Sequence, residues 1–182
     1  MRKYKENLMA ISVSQQDAMT PRRALQVGAF CSLISGLSIW QQAIARIATA
    51  ELEEESCSDM NSRAQGRASA LVQQSRTDCA IAWQGTKDDM CRFKLVCDND
   101  LFLRAELVYG STKSWADDVF DGLWPSTHPG ADDHEDVWRY EDDLFDYASE
   151  IFEIEVDELY LKTARAWRDS AEQLGGTGKK FR

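Results

Sequence analysis

The chain has 182 residues, 43% of them hydrophobic, and 31 acidic against 21 basic side chains give it a net charge of −10. This is enough apolar material for one packed domain. The charge disfavours direct nucleic-acid binding and anionic membranes, which need Lys and Arg, and it suits a basic protein partner, selected and steered by complementary charge.

Residues 1–19 are polar without a clear period and read as an arm ahead of a single domain over 20–174. Thr20 before Pro21 is an N-cap followed by proline in the first helical turn, which predicts a long helix reaching Glu51–Glu55. Phe30, Leu33, Ile34, Leu37, Ile44 and Ile47 fall at helical spacing along it. Residues 24–45 carry no charge, follow Arg22 and Arg23, and end at Ala43-Ile44-Ala45. The preferred reading is a packed internal helix in a cytoplasmic protein. The alternatives are the apolar region of a secretory signal, which makes the protein exported, and a membrane anchor, against which Gln26, Gln41 and Gln42 weigh. A helix over 21–55 is longer than a small sheet needs, and this offers a surface for a homodimer. Cys57–Gln74 reads as a second helix.

The pattern changes at Thr77. Cys79, Ile81 and Trp83 alternate with smaller or polar residues, as do Cys91, Phe93, Leu95 and Cys97, then Leu103, Ala105, Leu107 and Tyr109. Gly85–Asp89 and Asp98-Asn99-Asp100 read as turns. Together these predict a three-stranded antiparallel meander over about 77–109. Ser114 then caps a short helix, Trp115–Leu123, and an irregular loop follows. A further helix starts near Asp133, with the stripe Val137, Tyr140, Leu144, Ala148 and Ile151. Phe152, Ile154 and Val156 alternate with acids and suggest a fourth strand. Asp157 opens a last helix with the stripe Tyr160, Ala164, Trp167, Ala171 and Leu174; Gly175-Gly176 ends it, and 175–182 form a loose tail. The expected class is α+β: long N-terminal helices, a meander, then acidic helices.

Five cysteines, an odd number, point to reduced thiols in the cytoplasm. Loss of Cys31 with a cleaved signal leaves four, and Cys79–Cys97 is then the expected cross-strand disulfide. His128 and His134, the two histidines, stand near Asp132 and make a conceivable Zn²⁺ or Mn²⁺ set, though at no known ligand spacing. Asp98-Asn99-Asp100 lacks the glycine and glutamate of a calcium loop. Gly175–Lys180 lacks the frame of a phosphate loop. No nucleophile-and-base arrangement stands out, and no cofactor is expected.

Charge is distributed unevenly. Residues 98–160 hold nineteen acids against Arg104, Lys113 and Arg139, together with 11 of the 18 aromatics. The density is greatest on the helix from Asp132 to Asp146, at Asp132, Asp133, Glu135, Asp136, Glu141, Asp142, Asp143 and Asp146. Trp138, Tyr140 and Tyr147 there supply apolar anchors of the kind that carry interface energy. The leading expectation is a non-enzymatic binding protein that neutralises or escorts a basic protein (a toxin, an effector or a nucleic-acid-binding protein), with mimicry of DNA phosphates as one form of this. The element order and acidity resemble small secretion chaperones and toxin-immunity proteins, at the level of fold analogy alone. The alternatives are a metal-dependent hydrolase built on His128 and His134 and an exported, disulfide-bonded envelope protein.

Overall fold

The computed structural model describes residues 20–57, 62–122 and 131–164, with backbone alone for 62 and 131–136. Five helices account for their regular structure: α1 Pro21–Ser56, α2 Ser62–Val96, α3 Asn99–Phe120, α4 Ala131–Phe152 and α5 over 156–164. The described residues contain no strand. The expected α+β class is therefore corrected to all-helical, and both the meander and the fourth strand are withdrawn.

α1 begins where the sequence indicates. The Thr20 side chain accepts from the Arg23 amide at 3.3 Å, and Pro21 occupies the first turn. Phe30, Leu33, Leu37, Ile44 and Ile47 are fully buried, and Trp40 nearly so. These steps of three and four residues make one seam, and Val27, Cys31, Ile34 and Ser35 are buried beside it. More than one face is buried because α1 is central. It meets α2 where Ser32 donates to Asp89 at 3.1 Å, and α4 where the Phe30 ring packs edge-on to Phe145 at 5.4 Å. It meets α5 where the Thr163 hydroxyl lies 3.9 Å from the Cys31 sulfur. The helix is long and apolar enough to cross a membrane by length and composition; here its seam from Val27 to Ala50 is buried by the packed helices, while Leu25 and Leu52 stay exposed.

α2 runs through both expected strands and the Gly85–Asp89 turn. Its buried positions are Ala68, Val72, Ser75, Cys79, Thr86, Met90 and Phe93, again in steps of three, four or seven. Such a seam is that of paired helices. Contacts with α1 run in reverse order: Gln26 donates to the Val96 carbonyl, Asp89 accepts from Ser32, Arg76 pairs with Glu51, and Ser69 with Glu54. α1 and α2 thus form an antiparallel hairpin, each about 53 Å long at 1.5 Å per residue. The length of α1 is matched by that of α2. The proposed Cys79–Cys97 bridge is also withdrawn. Cys79 lies within α2 and Cys97 immediately after it, about 27 Å away along a helix, whereas a disulfide spans less than about 7 Å between Cα atoms. All five cysteines are free.

Asp98 starts α3 and does not reverse the chain. Its backbone is extended, φ −72° and ψ 164°, and its carboxylate accepts from the Leu101 amide at 2.9 Å. α3 absorbs the expected third strand and most of the expected helix from Trp115. It packs antiparallel to α2, with Lys94 over the Phe102 ring, Trp83 donating to the Tyr109 hydroxyl at 2.8 Å, and Arg76 over Phe120.

α4 buries the expected stripe: Val137, Leu144 and Ala148 are buried, and Tyr140 and Ile151 half-buried. It is antiparallel to α1, since Gln41 meets Glu141 while Phe30 meets Phe152. The four long helices therefore run up, down, up and down. Arg23 clasps the end of α4, donating to the Ile151 carbonyl at 3.1 Å and to Glu153 at 3.0 Å. Glu153 turns the chain with φ +47°, where a fourth strand was expected. α5 buries Leu159 and Thr163, one residue off the expected stripe, and leaves Tyr160 and Ala164 exposed. The arm 1–19, the loop carrying His128, the rest of the last stripe (Trp167, Ala171, Leu174) and the tail 175–182 lie outside the described residues.

Candidate functional site: an acidic helix face and the cleft beside it

α4 is amphipathic because its apolar residues repeat at helical spacing and nearly everything between them is acidic. Asp142, Asp143, Asp146 and Glu150 are exposed, as is Trp138 at 62%. Trp138, Asp142, Asp146 and Glu150 recur every fourth residue and so form one strip. Of these, Trp138, Asp142 and Asp146 were singled out from sequence, and Glu150 was not. Asp132, Asp133, Glu135 and Asp136 fall in the first turns of α4, and their side chains are outside the description. So is the side chain of His134, and with it the expected metal set of His128, Asp132 and His134. Among the described residues no group of three or more metal-ligating side chains converges.

The acids are not equivalent. Asp143 forms an ion pair with Arg104 of α3, so its charge is met within the protein. Arg104 also lies over the Tyr147 ring at 4.4 Å. The Tyr147 phenol is raised by partial desolvation and then by the carboxylates of Asp100 and Asp98. Tyr140 is half-buried under the guanidinium of Arg139, 5.2 Å away. Both tyrosines are thus engaged by arginines, whereas Trp138 is largely exposed to solvent.

Glu141 faces the other way. It is half-buried, and its Oε1 accepts from the Gln41 amide of α1 at 3.2 Å. Burial raises its carboxyl above the usual range; Gln41 opposes the rise and Asp142 adds to it. Glu141 lines a cleft of about 310 Å³ between α1, α4 and α5, floored by Ile34 and Phe145 and walled by Tyr160 and Ala164. Tyr160 donates to Asp142 at 3.3 Å and stacks on Phe145 with centroids 3.9 Å apart. Burial and then Asp142 push its phenol up to about 12. Sequence reasoning assigned Tyr160 to a buried stripe and missed this role. The signal was the stripe itself, since Leu159 and Thr163 are as well spaced as Tyr160 and Ala164.

The described part of the chain is thus a helical bundle with a negative outer face and a negative cleft. No family model, curated protein or solved structure matches it.

Proposed function

We propose that the protein binds a basic protein partner, without catalysis, through the strip Trp138, Asp142, Asp146 and Glu150 on α4. One observation carries this reading: an exposed tryptophan stands in line with exposed carboxylates on a single rigid helix. Tryptophan at the centre of a contact supplies affinity through burial. Carboxylates around it supply steering and partner choice. Asp98, Asp100 and Glu150 extend the negative region past Tyr147 towards α3. Nucleic acid does not suit this surface, because its phosphates repeat the charge already there.

The test compares the full-length wild type with Asp146→Lys, Asp142→Lys/Asp146→Lys and Trp138→Ala as baits for host proteins at low and high salt. A basic partner should be held at low salt and released at high salt. The double reversal should abolish capture, and Trp138→Ala should weaken it about tenfold or more, the cost of a modest hot spot. Undiminished capture by the double reversal sinks the proposal.

A further inference from the structure

The cleft between α1, α4 and α5 has a chemistry distinct from the outer strip. Its volume, about 310 Å³, is at the lower end of the range for small-molecule sites and limits an occupant to roughly one ring. Its floor is apolar, since Ile34 and Phe145 are each 3% exposed. Tyr160 stacked on Phe145 gives it a flat aromatic wall. The hydroxyl of Thr163 is already committed to the Leu159 carbonyl at 3.0 Å. Among the described lining residues Glu141 is the one carboxylate, and none is basic. Gln41 occupies Oε1 of Glu141, while Oε2 has no hydrogen-bond partner among the described residues.

These features discriminate between ligand types. An anion meets Glu141 together with Asp142 and Asp146 near Tyr160, a repulsive arrangement. A neutral apolar molecule covers a half-buried carboxylate without pairing it, which costs free energy. A cation with an apolar body satisfies both parts, placing its charge at Oε2 and its body against the apolar lining beside Tyr160. We infer that the cleft binds a small organic cation, an ammonium or guanidinium on a flat apolar body, with Glu141 holding the charged head and Phe145 and Tyr160 the body.

The inference does not rest on the outer strip, and the experiment separates them. Full-length protein, labelled for amide NMR, is titrated with phenethylamine, phenylacetate, ethylamine and an acetylated, amidated pentalysine peptide. Phenethylamine should shift amides clustered around residues 34–42, 141–145 and 160–164, with phenylacetate silent and ethylamine at least tenfold weaker. Glu141→Gln, which keeps size and polarity, should weaken phenethylamine about tenfold with the spectrum otherwise unchanged. Trp138→Ala with Glu150→Lys, on the outer strip, should weaken the lysine peptide and leave phenethylamine within about threefold. Equal binding of phenylacetate, an unaffected Glu141→Gln variant or shifts scattered over the surface each overturn the inference. Preferential seating of the lysine peptide in the cleft overturns it in favour of a side-chain anchor for a protein partner.

Discussion

The Gln41 amide of α1 donates to the Glu141 carboxylate of α4 at 3.2 Å and reaches the Thr112 hydroxyl of α3 at 3.4 Å. Three helices meet at this one polar side chain inside an otherwise apolar interface. Glu141 is consequently held where water is scarce, and burial raises its carboxyl above the ordinary 4.5. The native protein then binds that proton more tightly than the unfolded chain does. Folding stability therefore falls as pH rises from the ordinary glutamate value through the raised native one. Glu141→Gln removes this loss. Above that window the variant should be more stable than wild type, and below it the two should converge. Urea melts across a pH series measure this, and a difference independent of pH contradicts it. Asp89, also raised by burial, adds a contribution of the same sign.

Glycines in the hairpin divide by what surrounds them. A Cβ on Gly36 would stand 3.1 Å from Asp89 Oδ2 and 3.4 Å from Thr86 Oγ1. Asp89 cannot readily yield, being held by Ser32 at 3.1 Å and by Arg92 at 3.5 Å. A Cβ on Gly66 would meet nothing within 4 Å. Gly66→Ala should gain about 0.8–1 kcal/mol from helix propensity. Gly36→Ala should lose net stability, because overpacking of about 1–3 kcal/mol exceeds that gain. Chemical denaturation of both variants checks the contrast; equal gains would mean that α1 and α2 are not in close approach at Gly36.

Asp98 decides between the helical chain and the meander. As an N-cap, its carboxylate satisfies the Leu101 amide at 2.9 Å. Asp98→Ala should cost about 1 kcal/mol, and Asp98→Asn should cost little, because asparagine caps equally well. Loss on both substitutions, or on neither, would remove the cap from the account.

What the sequence made legible follows from where apolar side chains are large. α1 and α4 carry Phe, Leu, Ile and Trp on their buried positions, and their helical period is plain. The seam of α2 instead uses Ala68, Ser75, Cys79 and Thr86, small or polar residues that hydropathy barely registers. Its conspicuous apolar residues are on the wrong side: Ile81 is 60% exposed and Leu95 84%. Alternation of Cys79, Ile81 and Trp83 thus mixed buried and exposed positions into a false period of two. Composition pointed the right way, since 77–96 has few β-branched residues and many good helix formers. The i to i+4 pairs Gln74–Asp78 and Gln84–Asp88, both bonded in the structure, were a second overlooked sign. At the site, the acidity of α4 was visible in the residue order. Pairing of Asp143 with Arg104, and the inward turn of Glu141, depend on α3 and α1 lying alongside, which no local pattern encodes.

Thiol reactivity tests the helical geometry through Asp98 once more. Cys91 is exposed, Cys31 and Cys79 are buried with thiols raised by burial, and Cys97 is pushed up to about 12 by burial and then by the adjacent Asp98 charge. Alkylation proceeds through the thiolate. In the native protein at mildly alkaline pH, Cys91 should react first, and Cys97 should lag far behind despite being only half-buried. Asp98→Asn removes the charge and keeps the cap, so it should speed Cys97 without unfolding α3 or changing Cys91. All five thiols should react after denaturation without reductant, since none is bridged. Peptide mapping of a timed alkylation measures each site. A peptide linking Cys79 to Cys97 would place the two residues side by side, which a continuous α2 forbids.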